Sequence, residues 1–547
     1  MNHYINMKRI IFSQSKFSFA LLMFFIPGIL TTQVVAQDVS PLYPEVQKAL
    51  RLIDIDQSTK ALESLNTLVK SNPADASLLY YLGYAQIKKG KLDEALASFD
   101  KGIQLNDKEP LNYVGKGYVK VLQNNPVETK QFFDKALLMT KSKNAAVLNG
   151  VGEAYIGNKQ YLNEGLQLLL KSKSVNSKNA ETFILLGDAY LQQNNGGLSV
   201  SSYENAAALD SKNAKPNFKI GQVYSRSKNV EAAIEAYDKA IKADPEYALA
   251  YKELGEIYYF KKDGVKAVEA QEAYLKLTEN PEPGKLQLAF YLFMAKNYVK
   301  ANEIFKQIIL LPNTPAVAYR FYAKSLSEVG DLEESRKVFD QYFVKAKPEE
   351  ILASDYADFG DALIKMKQDS LAINAYQNSL AIDSMQTKIR QLHAETLYRK
   401  KRYAEAVASF EKLLVLRAKP LAQDSYAIGR AYYYNGQMVE ADSAFTRLSK
   451  MQPTMSVGPL WVARVKANQD PESTQGLAKP YFEKVVEIAS VNPEKNKADL
   501  IESYRYLGYY SYLKKDNAKS KEYWQKVLTL APKDPQATEA LEILNKL

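Results

Sequence analysis

The 547-residue sequence contains no cysteine and two histidines. Without cysteine there is no disulfide, no thiolate chemistry and no lipid-modified cysteine, so stability must rest on packing. His3 lies in an N-terminal leader and His393 stands alone. Cys/His zinc sites, Ser-His-Asp triads and Cys-His nucleophile pairs are therefore excluded, and no metal or cofactor site is expected. Long apolar runs are equally scarce. One, Phe17 to Leu30, is interrupted by Pro27 and Gly28, and it falls short of the roughly 20 apolar residues a membrane helix needs.

That run follows Lys8, Arg9 and Lys16 and precedes the small-residue stretch Val34-Val35-Ala36-Gln37. The pattern is that of an export signal over residues 1–37, cleaved near Ala36, with an uncleaved anchor as the alternative. Cleavage leaves no stable transmembrane segment. The expected location is periplasmic or associated with an outer membrane, in a Gram-negative envelope, and the protein is not a lipoprotein. Removing the three basic residues of the leader from the net charge of +10 leaves +7 on the remaining chain. So mild a bias reads as a solvated surface, with attraction to an acidic partner or an anionic surface as the lesser reading and no nucleic acid implied. With 46% hydrophobic and 24% charged residues, the chain has the composition of a folded soluble protein.

What the sequence does have is a repeat. Small residues recur at Ala61, Ala95, Thr129, Gly165, Ser199, Ala233, Ala267, Ala301, Ser335, Ala372, Ala406, Ala441, Ala478 and Ser520, mostly 34 residues apart. Four positions after most of them comes an aromatic: Phe99, Phe133, Tyr203, Tyr237, Phe305, Phe339, Tyr376, Phe410, Phe445, Phe482 and Trp524. A second ladder runs about twelve residues ahead, through Gly83, Gly117, Gly152, Gly187, Gly221, Gly255, Gly360, Gly429 and Gly508, with alanine in the other units. Glycine inside a helix costs about 0.5–1 kcal/mol relative to alanine. Its recurrence at one phase calls for a close helix neighbour. Each unit reads as two amphipathic helices joined by a short polar turn, the second ended in places by proline, as at Asp244-Pro245.

These residues are where the chain resembles the tetratricopeptide repeat family. The match is plainest at Tyr251, Leu254-Gly255, Tyr258 and Ala267, and at Phe183, Leu186-Gly187, Tyr190, Tyr203 and Ala206. The related pentatricopeptide family, which reads RNA, lacks this combination of glycine, alanine and aromatic. The resemblance implies an all-α fold: a right-handed superhelical α-solenoid of about fourteen helical hairpins with a C-terminal capping helix over 535–547. Breaks at Asn280 to Gly284, near Lys347-Pro348, at Asn468 to Gln475 and around Asn492-Pro493 cap helices or mark joints. We divide the array provisionally into 38–281 and 282–534, continuous with each other.

In that family the first helices line a concave groove that takes a peptide, a helix or a protein surface. Placing this chain on the pattern puts Tyr80, Tyr84, Tyr118, Lys252, Tyr259, Phe290, Phe293, Arg320, Tyr398, Tyr426, Arg430, Tyr433, Arg505, Tyr509 and Tyr512 toward it. Tyrosine and arginine suit binding surfaces, since they combine large contact area with polar tips. The competing reading is that many of the 38 tyrosines pack between helices. Tyr84, Tyr118, Gln222, Glu256, Asp361 and Glu395 stand where relatives that clamp a C-terminal carboxylate have asparagine, so that mode is not expected. Acid pairs such as Asp93-Glu94, Glu333-Glu334 and Glu349-Glu350 fall at turns or helix starts, and no phosphate-cradling glycine loop is present. The expected role is a non-catalytic scaffold or adaptor of the bacterial envelope with a protein or peptide partner, in an envelope complex. A module for glycans or peptidoglycan is the alternative, and an enzyme built on carboxylates is the remote third. Nothing in the pattern sets a homo-oligomeric state.

Overall fold

The computed structural model describes residues 44–546, so the leader over 1–37 lies outside the described residues. These residues form 29 α-helices and two short 3-10 turns, with no strand among them. They divide into two compact units, meeting in sequence at Arg226 and Ser227.

In the first unit the helices are α1 Pro44–Asp54, α2 Ser58–Ser71, α3 Ala76–Lys88, α4 Leu92–Leu105, α5 Pro110–Leu122, α6 Pro126–Met139, α7 Ala145–Ile156, α8 Leu162–Val175, α9 Ala180–Gln192, α10 Gly196–Leu209 and α11 Ala214–Arg226. The first ten pair consecutively into five hairpins. The second unit begins with α12 Val230–Ala243. It continues through α13 Ala248–Phe260, α14 Gly264–Leu277, α15 Glu282–Met294, α16 Tyr298–Ile308, α17 Ala316–Val329, α18 Leu332–Lys345, α19 Ala353–Lys365 and α20 Asp369–Ile382. The series is completed by α21 Thr387–Arg399, α22 Tyr403–Leu416, α23 Ala422–Tyr434, α24 Met438–Met451, α25 Val457–Gln469, α26 Lys479–Ala489, α27 Lys497–Leu513, α28 Asn517–Leu530 and α29 Pro535–Lys546. Helices α13 to α28 make eight hairpins, and α29 packs on α28 through a core that includes Ala537 and Leu544.

Most repeats are punctuated in a similar way. Within most hairpins one residue of the turn takes a left-handed φ, Gly90, Asn124, Asn194, Lys262, Lys296, Gly330, Lys401 or Gly436 for example, which ends the first helix. In several of them Asn or Asp next caps the second helix: Asn125 accepts from the Glu128 N–H, Asn195 from Leu198, and Asp331 from Glu334. The acid pairs Asp93-Glu94 and Glu333-Glu334 occupy the first turns of α4 and α18, where the helix dipole favours them.

The two ladders meet in the core. Phe99, on α4, is fully buried, and a Cβ added to Gly83 of its own hairpin or to Gly115 of the next would lie 2.3 Å from its ring. One aromatic is thus clamped between two first helices, and only glycine leaves it room. Gly115 and Gly150 lie outside the ladder read from the sequence. A Cβ at Gly150 would come within 2.8 Å of Val114. In the first unit α3 packs directly on α5, α5 on α7 and α7 on α9.

Where the small ladder residue is serine, its hydroxyl donates to the carbonyl of the partnering ladder position. Ser199 reaches Gly187 at 2.8 Å, Ser335 reaches Ala323 at 2.7 Å and Ser520 reaches Gly508 at 2.8 Å. Where the aromatic is tyrosine, its buried hydroxyl needs an acceptor. Tyr203 donates to Asp188 and Tyr376 to Asp361, each at 2.6 Å. Asp361, one of the positions compared above with groove asparagines, therefore serves the core.

The proline-containing segment 280–284 comprises the end of the α14–α15 loop and the first turn of α15, inside the second unit. There Gln271 donates to the Gly284 carbonyl at 3.0 Å. In the loop after α25, Asp470 accepts the backbone N–H groups of Gln475 and Gly476 at 3.0 and 2.7 Å.

Candidate functional site

In the first unit the first-helix face is knitted together by its own side chains. The Tyr84 hydroxyl on α3 donates to Glu153 on α7 at 2.9 Å, and Lys88 pairs with the same carboxylate at 2.7 Å. The Lys88 ammonium also sits 4.8 Å from the Tyr84 ring centroid and 5.6 Å from that of Tyr118. Tyr80 packs against Phe99 and Tyr81. Burial, and then the Glu153 carboxylate, pushes the Tyr84 hydroxyl well above its ordinary value, so it remains a donor.

A second cluster lies further along this face. On α11, Lys219 pairs with Asp188 at 3.1 Å, and Lys215 lies 3.1 Å from Asp54 and 3.7 Å from Glu181. Asp54 ends α1 and Glu181 is on α9, so one lysine reaches from the sixth first helix back to the first. The first helices of this unit therefore lie on the inside of its curve. Burial alone would lower the Lys215 ammonium, but the carboxylates of Glu181, Asp54, Glu153 and Asp188 outweigh it and raise it. Burial raises the Glu181 carboxyl, against the pull of Lys215.

The second unit offers a different surface. Arg430, on α23, has its guanidinium carbon 4.7 Å from the Tyr398 ring, 5.3 Å from Tyr426 and 5.9 Å from Trp461. Tyr433 meets Trp461 edge-on at 5.5 Å, and the exposed Tyr434 lies 6.0 Å from Tyr398. Helices α21, α23 and α25 thus bring four sequence-predicted residues, Tyr398, Tyr426, Arg430 and Tyr433, into one cluster, with Tyr426 and Tyr433 packed on the core around Trp461. Trp461, Tyr434 and Arg464 complete it. Arg464 stacks on Trp461 at 4.6 Å and forms a two-pronged pair with Glu502 of α27, at 2.8 and 2.6 Å. A signal for Arg464 existed: it follows Ala463 of the ladder just as Arg430 follows Gly429.

The other predicted residues are distributed along the second unit. Arg320 sits over Phe321 and 3.7 Å from the fully buried Asp355, which also accepts the Tyr342 hydroxyl at 2.7 Å. Arg505 is ion-paired with Asp534. Phe290 and Phe293 each meet Phe321 at 5.0 Å. Tyr259 stacks on Tyr291 at 5.3 Å, and the exposed Lys252 stands 5.9 Å over the Tyr274 ring. Tyr509 and Tyr512 are 45% and 40% exposed on α27, leaving their faces open to solvent.

His393 lies against the Ser409 hydroxyl at 3.1 Å, half-buried. Burial, with Arg390 and Arg402 nearby, lowers it to about 4. Among the described residues no three His, Cys, Asp or Glu side chains gather as a metal site would. No described helix is long and apolar enough to cross a membrane.

Comparison with known proteins adds to this picture. The tetratricopeptide repeat family model matches residues 46–110, 184–245 and 218–281. No curated protein matches the chain. Among solved structures, the C-terminal part of a TPR repeat-containing protein from Cytophaga hutchinsonii is 32% identical, covering 47% of this chain and 99% of its own, with a TM-score of 0.40. A tetratricopeptide repeat protein from Parabacteroides merdae is 18% identical over 47% of this chain and 99% of its own, with a TM-score of 0.30. The matched repeats, the relative aligned over nearly its whole length and the paired helices agree: this chain belongs to the tetratricopeptide repeat family.

Proposed function

We propose that this protein is a non-catalytic scaffold or adaptor exported to the bacterial cell envelope, holding a protein partner on the first-helix face of its second unit. The repeat family supports a protein-interaction scaffold in general. One observation favours the second unit for the partner. There Tyr398, Tyr426, Tyr433 and Tyr434 gather near Arg430 over the buried Trp461, and tyrosine and arginine are residue types that carry binding energy at interfaces. The polar groups quoted on the inner face of the first unit, by contrast, are paired with one another.

The test is crosslinked co-purification from an envelope extract, comparing the native chain with Tyr426→Ala/Tyr433→Ala. A convex control is Val344→Ser, at a residue 89% exposed on α18. Loss of the captured partner in the double variant, with retention in the control, is expected. Equal capture by all three would overturn the placement. Export is tested separately by N-terminal sequencing of the protein from a periplasmic fraction. A mature end near Gln37 is expected, and an intact leader on a cytoplasmic product would refute it.

A further inference from the structure

We infer that the aromatic cluster around Arg430 is a site for the side-chain carboxylate of an aspartate or glutamate within a partner polypeptide; this rests on the reading that the second unit holds a protein partner. A guanidinium presents two flat faces and an edge of N–H donors. Here the aromatic groups Tyr398, Tyr426 and Trp461 surround the guanidinium within 6 Å of its carbon. Its Nε is shut away from water without an acceptor. The Tyr398 hydroxyl lies beside it, but among the described residues no carboxylate pairs with it.

Arg390 is likewise without a carboxylate and donates to the Ser384 carbonyl at 2.8 Å, but other arginines of the unit have one. Arg320 has Asp355, Arg417 has Asp424, Arg464 has Glu502 and Arg505 has Asp534. The nearby Glu395 accepts instead from Gln391 at 2.8 Å. A half-buried guanidinium without a carboxylate partner matches a carboxylate in charge and shape. The aromatic cluster extends to Tyr403 and Tyr434, and to Arg464 stacked on the buried Trp461. On the neighbouring first helix Glu395 stands where clamps for a terminal carboxylate carry asparagine, which favours an internal side chain over a chain terminus.

The probe is an array of dodecapeptides acetylated at one end and amidated at the other, so that side chains carry the only carboxylates, screened with the full chain. Bound peptides should contain an acid whose replacement by Gln or Asn weakens binding about tenfold or more. Arg430→Gln should remove the difference between acid and amide peptides, whereas Arg430→Lys, which keeps the charge but not the fork, should retain a smaller one. Far-UV circular dichroism establishes that both variants are folded. If Arg430→Gln does not fold, the acid/amide ratio in Arg430→Lys decides, and a native-sized ratio refutes the role of the fork. Bound peptides without acid preference, an acid preference unchanged in Arg430→Gln, or stronger binding by free C-terminal carboxylates would each overturn the inference. Peptide binding that survives in Arg430→Gln would leave the scaffold reading standing and sink this one. Loss of all partner capture by the native chain would sink the scaffold reading itself.

Discussion

Gly187→Ala puts the packing code to a quantitative test. The new methyl would stand 2.3 Å from Cε1 and 2.5 Å from Cδ1 of Tyr203. That ring is fully buried and anchored by its hydroxyl to Asp188, so it has no room to swing away. Overpacking of this kind costs about 1–3 kcal/mol. The gain in helix propensity from replacing glycine returns about 0.5–1 kcal/mol. The net is a local destabilisation centred at about 1 kcal/mol and reaching about 2.5 kcal/mol, or up to about 70-fold in the opening equilibrium. A repeat array opens locally, and hydrogen exchange followed by mass spectrometry over α9 and α10 reads that equilibrium where it changes. Gly197→Ala, on α10 with only the Asn195 side chain near at 3.9 Å, is the control and should be neutral or slightly stabilising. Adding Tyr203→Leu to Gly187→Ala should relieve the clash, and the coupling between the two changes should be favourable. Protection in Gly187→Ala equal to or above that of Gly197→Ala would refute the account of the ladder.

Two further outcomes follow from the tyrosine and histidine environments. Asp361→Ala strands the buried Tyr376 hydroxyl and should cost about 1–3 kcal/mol locally, whereas Tyr376→Phe/Asp361→Ala should recover much of it; hydrogen exchange over α19 and α20 decides, and equal protection in both variants would count against the bond. The His393 imidazole should titrate by NMR near pH 4 rather than near its ordinary 6.5. With the folded value depressed, its contribution to stability is complete above about pH 6.5 and is lost as pH falls toward 4. His393→Leu should remove that loss, and a titration midpoint near 6.5 would exclude the burial argument.

The hairpins were legible because packing imposes a fixed register on residue type. Small residue, aromatic and glycine each answer a steric demand that repeats every turn of the array, so Gly83, Ala95 and Phe99 could be assigned without coordinates. Gly115 and Gly150 were not, since they answer contacts between successive first helices that vary from repeat to repeat. The paired state of groove-phase residues was equally hidden. Arg320 and Asp355 are 35 positions apart, and Lys215 and Asp54 are 161 apart. Pairing over such spans depends on curvature, which no local pattern encodes. Asp188 and Asp361 carried a readable signal: each stands 15 residues before a core tyrosine, and a buried hydroxyl requires an acceptor.

The clamp of Phe99 between Gly83 and Gly115 bears on how the molecule would yield under tension. Each glycine lies 16 residues from the ring it holds, so the contact is broken by extending one hairpin and its neighbour. No distant strand has to be sheared first. Under tension such contacts yield hairpin by hairpin, except in the first unit, where Lys215–Asp54 and Lys88–Glu153 tie hairpins that are not neighbours and have to give way first.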